Sequence, residues 1–133
     1  MSENENKQLL EIASKSAKFA YAPYSGFKVG AALLTDDGLV FTGCNIENAS
    51  YGLCNCAERT AVFKAVSEAK TNLKKIAVAV EDINETVYPC GACLQVLSEF
   101  MYDGSIIISK NGEPEEIKVK DMLPCNFKLE KEN

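Results

Sequence analysis

Two short stretches of this sequence hold residues that could do chemistry together: Asn55-Cys56-Ala57-Glu58-Arg59 and Pro89-Cys90-Gly91-Ala92-Cys93. Cys90 and Cys93 are three apart, so in the first turn of a helix their thiols fall on one side and can grip one metal ion. Each stretch opens a predicted helix, and a helix N-terminus lowers a thiol's pKa and favours the thiolate that zinc requires. If the two N-termini meet, Cys56 supplies a third sulfur. Three protein ligands leave a fourth position open, the pattern of a catalytic zinc rather than a structural one. Glu58, two residues after Cys56, can then take a proton from a water that the metal activates, without itself ligating the metal. The chain contains no histidine. That removes every Ser-His, Cys-His and His–metal scheme and leaves acid–base work near neutral pH to carboxylates or activated water.

Plainer readings compete with each of these. A Cys-x-x-Cys pair by itself serves equally well as a redox couple or as part of a structural zinc knot; Cys56 and Glu58 tip the balance to catalysis. Cys54 rivals Cys56 as a ligand, but the Cys-Ala-Glu spacing favours Cys56, and Cys44, Cys54 and Cys125 read as packing thiols. Glu58 alone could be an ordinary first-turn acid. Three thiolates leave a bound Zn²⁺ at net −1, so a cation is needed nearby. Arg59, the one arginine of the chain, stands three residues after Cys56, and its forked donors suit sulfur better than a lysine's point charge.

These junctions need a scaffold, and the apolar pattern supplies one. Residues 5–21 read as an amphipathic helix that ends at the turn-rich Ala22-Pro23-Tyr24-Ser25-Gly26. Phe27–Leu34 and Leu39–Cys44 read as strands around the hairpin signal Asp36-Asp37-Gly38. A loop over 45–55 leads to a helix at Cys56–Ala69, then to a strand at Lys75–Val80 that is apolar on both faces. A third helix runs from Pro89–Gly91 to about Met101. Strands at Ile106–Ile108 and Ile117–Val119, joined at Asn111-Gly112, and a helical turn at Asp121–Leu123 precede a charged tail, Lys128–Asn133. Five strands alternating with helices predict a three-layer α/β/α sandwich built on a mixed five-stranded sheet.

Composition sets the outer bounds. The 133 residues, 47% apolar, suit a single domain over 1–133 with a real core. The polar, acidic start has no secretory pattern, and runs such as Ile76–Val80 are too short to span a bilayer, so a cytoplasmic protein is expected. A net charge of −5 argues against a nucleic-acid partner. Six cysteines in such a chain point to metal or catalysis before disulfides.

The two cysteine segments strongly resemble those of the small, zinc-dependent, homotetrameric cytidine deaminases, and the resemblance extends over nearly the whole chain. Phe27-Lys28-Val29-Gly30-Ala31-Ala32-Leu33 is similar to the family's first strand. Gly43-Cys44-Asn45-Ile46-Glu47-Asn48-Ala49-Ser50-Tyr51 is similar to its nucleoside-binding segment. Met122-Leu123-Pro124-Cys125-Asn126-Phe127 is similar to its C-terminal stretch. The resemblance implies one zinc per chain on Cys56, Cys90 and Cys93, with Glu58 as proton shuttle and Arg59 bonding the zinc-bound sulfurs. It places Asn45 and Glu47 on the ribose hydroxyls and Phe27, Tyr51 and Ala57 at the substrate. Phe127 would reach a neighbouring subunit's site. From residue types alone, Asn45 and Glu47 read as loop residues and Phe27 as core. One departure stands out: the family commonly has Cys-Arg-Gln where this chain has Cys93-Leu94-Gln95, and Leu94 shares a helical face with Leu97 and Met101, a packing position.

The implied activity is hydrolytic deamination of cytidine, and of deoxycytidine, in pyrimidine salvage, by attack of a zinc-activated hydroxide on C4. A related deaminase of another small base-bearing molecule, such as blasticidin S, is the alternative enzyme. A polynucleotide deaminase or RNA-binding module is disfavoured by the acidic balance, and a purely structural zinc or redox domain would show no turnover.

Overall fold

Residues that alternate between two apolar environments make the central strands. The computed structural model describes residues 2–131. In it Val29–Thr35 (β1) is buried along its whole length, with Ala31 and Leu33 packed to one side and Ala32 and Leu34 to the other. Leu73–Val80 (β3) and Ser105–Lys110 (β4) repeat the division: Ile76, Val78, Ile106 and Ile108 face one core, Ala77, Ala79 and Ile107 the other. Strands buried on both faces belong inside a sheet covered by helices. With Val40–Cys44 (β2) and Glu113–Lys118 (β5) at the edges, the sheet has the order β2-β1-β3-β4-β5.

Helix Ser2–Ser16 (α1) seals one face through Leu9, Leu10 and Ala13. Ala57–Ser67 (α2) and Gly91–Met101 (α3) seal the other with Ala61, Val62, Leu94 and Leu97. The expected three-layer α/β/α sandwich on a mixed five-stranded sheet is therefore the observed fold. α1 is fastened along its length. The Ser14 hydroxyl donates to the Val80 carbonyl at 2.8 Å. Buried Lys75 reaches Glu5 at 2.9 Å and Asn6 at 2.8 Å, with Glu116 of β5 at 3.9 Å. A buried ammonium is tolerable only with such partners around it.

Strand direction explains why the two cysteine segments can meet. β1 pairs antiparallel with both β2 and β3, so β2 and β3 run parallel to each other. Their C-terminal ends lie at one edge of the sheet, where the connections leading to α2 and α3 leave it. Open α/β sheets collect ligands at such carboxyl ends.

The end of the chain differs from its reading. β5 begins at Glu113, and Val119 opens a short helix, Val119–Met122 (α4), instead of closing the strand. Glu113-Pro114-Glu115-Glu116 carries no apolar alternation because it is an edge strand with a largely exposed outer side, the one place where a proline fits a sheet. The turn before it follows its residue types: Asn111 and Gly112 take positive φ of 55° and 89°, as a tight hairpin requires. The predicted tail Lys128–Asn133 has no helix or strand through residue 131, and its last two residues lie outside the described ones.

Gly43 lets α2 lie close on β2: a Cβ there would stand 2.5 Å from the Ala57 carbonyl and 2.6 Å from the Ala61 nitrogen. Both obstacles are backbone, so Gly43→Ala must push the start of α2 away. We expect a loss of ~1–3 kcal/mol in stability, read as a lowered Tm, together with weaker zinc retention. A variant with the parent's Tm and zinc content would show that the contact is dispensable.

Candidate active site

Cys56 and Cys90 are the residues that cap α2 and α3, each in extended conformation (φ −79°, ψ 159° and φ −78°, ψ 172°), with Cys93 in the first turn of α3. Neither capping side chain accepts from the backbone N–H groups of its own helix, so the sulfurs are free to turn toward one another. Cys56 Sγ lies 3.9 Å from Cys90 Sγ, and Cys90 Sγ lies 3.6 Å from Cys93 Sγ. All three sulfurs fall within 4.8 Å of one another, the one such cluster among the described residues. A tetrahedral zinc with sulfur at about 2.3 Å holds its ligands about 3.8 Å apart. The residues present fit that ion.

Charge around the cluster follows the same logic. A hydrogen bond from the Cys93 thiol, helped by Arg59, draws the Cys56 thiol down to about 5 against the opposing effect of burial. Arg59 Nη2 donates to Cys56 Sγ at 3.2 Å, and that bond raises the guanidinium's own pKa further. Its Nε is buried without a hydrogen-bond partner, a cost that a neighbouring anionic cluster offsets and a neutral one would not. Glu58, in the first turn of α2, is only 4% exposed. Burial above all pushes its carboxyl up to about 7, which suits a group that must both take and give a proton near neutrality.

Of the remaining predicted residues, Phe27, Asn45, Glu47 and Tyr51 gather where the chain enters and leaves the β1–β2 pair. Asn45 brackets β1: its Oδ1 accepts from the Val29 N–H at 2.8 Å and its Nδ2 donates to the Phe27 carbonyl at 2.8 Å. Glu47 is held as a fixed acceptor. Its Oε1 receives the N–H groups of Tyr24 and Ser25 at 2.9 and 3.1 Å, and its Oε2 receives the Ser25 hydroxyl. These bonds, the serine's first, hold its carboxyl below the usual range. Ser25 Oγ also accepts from the Phe27 N–H at 3.0 Å. Tyr24, Ser25, Glu47, Tyr51 and Cys54 line an open cavity of about 350 Å³, at the low end of sites for small molecules.

Pattern alone places Phe27 in the core. It precedes β1 and is 52% exposed, because the strand's buried register begins at Val29. Tyr51 is exposed, edge-on to Tyr24 with ring centres 6.2 Å apart, whereas Ala57 is fully buried under the start of α2. Phe127 lies on α3, 66% exposed, with its backbone bonded to Gln95. Cys54 turns into its own loop, its Sγ accepting from the Asn48 N–H at 3.2 Å. Leu94 packs in the core with Leu97 and Met101. Sequence reasoning passed over Ser25 and Gln95. Ser25 stood inside a segment read only as a turn, although a serine two residues before Phe27 is placed to bond that residue's N–H.

Comparison with known proteins places the chain in a family. A profile described as "Cytidine and deoxycytidylate deaminase zinc-binding region" matches residues 3–109. A cytidine deaminase of Halalkalibacterium halodurans is 48% identical over 131 residues, covering 97% of this chain and 98% of that protein. One of Sporosarcina psychrophila is 47% identical over 127 residues, covering 93% and 92%. The crystal structure of cytidine deaminase from Burkholderia pseudomallei superposes with a TM-score of 0.83 at 47% identity, covering 90% of this chain and 97% of that one.

The geometry predicts different outcomes for neighbouring cysteines. Cys56→Ala, Cys90→Ala and Cys93→Ala should each lose bound zinc, measured by metal analysis of the purified protein, whereas Cys54→Ala should keep it. Zinc kept by Cys56→Ala and lost by Cys54→Ala would reverse the ligand assignment.

Proposed function

This chain belongs to the cytidine and deoxycytidylate deaminase family, and on that premise we propose that it hydrolyses free cytidine to uridine and ammonia. The observation that carries the reading is the convergence of three thiols at two helix N-termini with a buried, near-neutral carboxyl two residues from one of them. Cys56, Cys90 and Cys93 would hold one zinc ion, which when bound supplies an acidified water. Glu58 takes the proton that this water gives up as its oxygen attacks C4 of the base, and delivers it to ring nitrogen N3. The second proton of the water passes through the same carboxyl to the amino nitrogen, the bond from C4 to that nitrogen breaks, and ammonia leaves. Burial keeps Glu58 from being an ordinary ionised surface acid. Arg59 offsets the net negative charge of three thiolates on a divalent ion, which would otherwise oppose formation of a further anion.

Asn45 and Glu47 would receive the ribose. A carboxylate already anchored by three protein donors is a preorganised acceptor, and it favours a hydroxyl that donates while repelling a phosphate in the same place. Phe27 and Tyr51 would flank the base and sugar, and Ala57 would lend its backbone beside Cys56. Deoxycytidine fits the same site. We place the activity in pyrimidine salvage in the cytoplasm. Among the described residues no helix is long and apolar enough to cross a membrane, and all six cysteines are unpaired, as suits a reducing compartment. We also propose a homotetramer in which Phe127 of one chain completes a neighbour's site. Exposed Phe19, Tyr51, Leu53, Phe63 and Phe127 support an assembled form, since so much apolar surface favours burial between copies.

The direct test is loss of cytidine absorbance with the purified protein, with ammonia release measured across cytidine, deoxycytidine, cytidine 5′-phosphate, cytosine and blasticidin S. We expect turnover of the two nucleosides only, abolished by chelation and restored by zinc. Preferred turnover of blasticidin S or of the phosphate would overturn the assignment. Glu58→Gln should keep zinc and fold while kcat falls by ~10²–10⁴-fold. A variant that retains a tenth or more of the parent rate, on the order of 1 kcal/mol in barrier, would remove the proton shuttle from this mechanism.

A further inference from the structure

The C-terminal segment is strapped to α3 by one stripe of that helix. Gln95, Ser98 and Tyr102 are spaced three and four apart, so they share a face, and each takes one grip on the returning chain. The Tyr102 hydroxyl donates to the Pro124 carbonyl at 2.8 Å. Asn126 Nδ2 donates to Ser98 Oγ at 3.1 Å. Gln95 holds Phe127 at both backbone groups: its Nε2 donates to the Phe127 carbonyl at 3.0 Å, and its Oε1 accepts the Phe127 N–H at 3.2 Å. The order of these grips runs the segment antiparallel to α3, so Phe127 arrives at the end of the helix that carries Cys90 and Cys93.

The Gln95 grip has an unusual form for a side chain that is only half-buried. A primary amide offers a donor and an acceptor side by side, the same pair that a neighbouring strand would offer, and it satisfies both backbone groups of a single residue. Between them the three grips account for carbonyl, side-chain and N–H groups at Pro124, Asn126 and Phe127, a stretch with no helix or strand of its own. Yet the Phe127 ring they hold is two-thirds exposed. The backbone is restrained while the side chain is left outward, which is the arrangement for presenting a ring rather than burying it.

We propose that Gln95 is a positioning residue that acts through Phe127 on the site of an adjacent copy of this chain. The proposal rests on the reading above in which Phe127 completes a neighbour's pocket. Gln95 sits two residues after Cys93, so the helix that would hold the metal in one copy also presents the closing ring to the next. Losing the clamp leaves the ring on a loose segment and weakens nucleoside binding in the neighbour, while the chemistry in the variant chain's own cluster stays intact.

Gln95→Met removes both bonds at similar size, and Gln95→Glu keeps the acceptor but loses the donor. We expect Gln95→Met to raise KM for cytidine by about tenfold with kcat changed less than about threefold, and Gln95→Glu to fall between it and the parent. Hybrid assemblies give the decisive reading. Gln95→Met chains are coexpressed with an excess of Glu58→Gln chains bearing a different tag, and assemblies carrying both tags are isolated. With that excess, nearly every intact Glu58 sits beside a chain whose Gln95 and Phe127 are normal, so KM should return close to the parent value. A parallel hybrid of Phe127→Ala with Glu58→Gln tests the reading beneath. Recovery in the phenylalanine hybrid without recovery in the Gln95 hybrid would overturn the proposal and leave that reading standing. A Phe127→Ala enzyme with the parent's KM would sink both. Zinc content and Tm of every variant are measured alongside, and a Gln95→Glu enzyme with normal KM overturns the proposal even if Gln95→Met fails to fold.

Discussion

Three sulfurs brought together from two helices form the constraint on which the rest of this structure depends. Thiols this close resist losing all their protons unless something positive faces them, and here the positive contributions come from three directions. Two helix N-termini point their unpaired N–H groups at the cluster, and Arg59 approaches Cys56 from the side. The demand explains the scaffold. Both helix starts must lie at one edge of one sheet, which requires β2 and β3 to run parallel with β1 between them in the opposite sense. It also explains Gly43, where a single methyl group would separate α2 from the sheet and move Cys56 with it.

Much of this was legible in the sequence because it depends on residue type and spacing. The Cys-x-x-Cys pair, the Cys-x-Glu pair and the solitary arginine each carry their chemistry wherever they are placed, and a helix N-terminus is a local property. The central strands were legible because residues buried on both faces leave an unbroken apolar run. What escaped was set by context. Glu113–Glu116 is a strand only because β4 offers it an open edge, and nothing in three acids and a proline records that neighbour. Phe27 alternates with Val29 and Ala31 as a core residue would, yet the sheet begins two residues later. Val119 looked like the end of a strand, and its buried side chain serves the next helix instead.

The substrate side escaped for a related reason. From residue types alone, Asn45 and Glu47 are loop residues that satisfy nearby backbone, and in the structure they do so: Asn45 closes the entry to β1, and Glu47 gathers the N–H groups of Tyr24 and Ser25. The plain reading and the functional one are therefore compatible. A side chain fixed by two or three bonds to its surroundings keeps lone pairs aimed in a set direction, and a polar group that has already lost its freedom loses little more when a ligand arrives.

The fastening of α1 has a bearing on how the chain is made. α1 leaves the ribosome well before the groups that fasten it: Ser14 waits for Val80, and Glu5 and Asn6 wait for Lys75. Until β3 and β4 have followed, Leu9, Leu10 and Ala13 lack the part of their cover that Ala77, Ala79 and Ile107 provide. Cys56 likewise emerges well ahead of Cys90 and Cys93. A lone thiol cannot hold zinc as three can, so the trio able to bind the ion exists only once α2 and α3 have both met on the sheet.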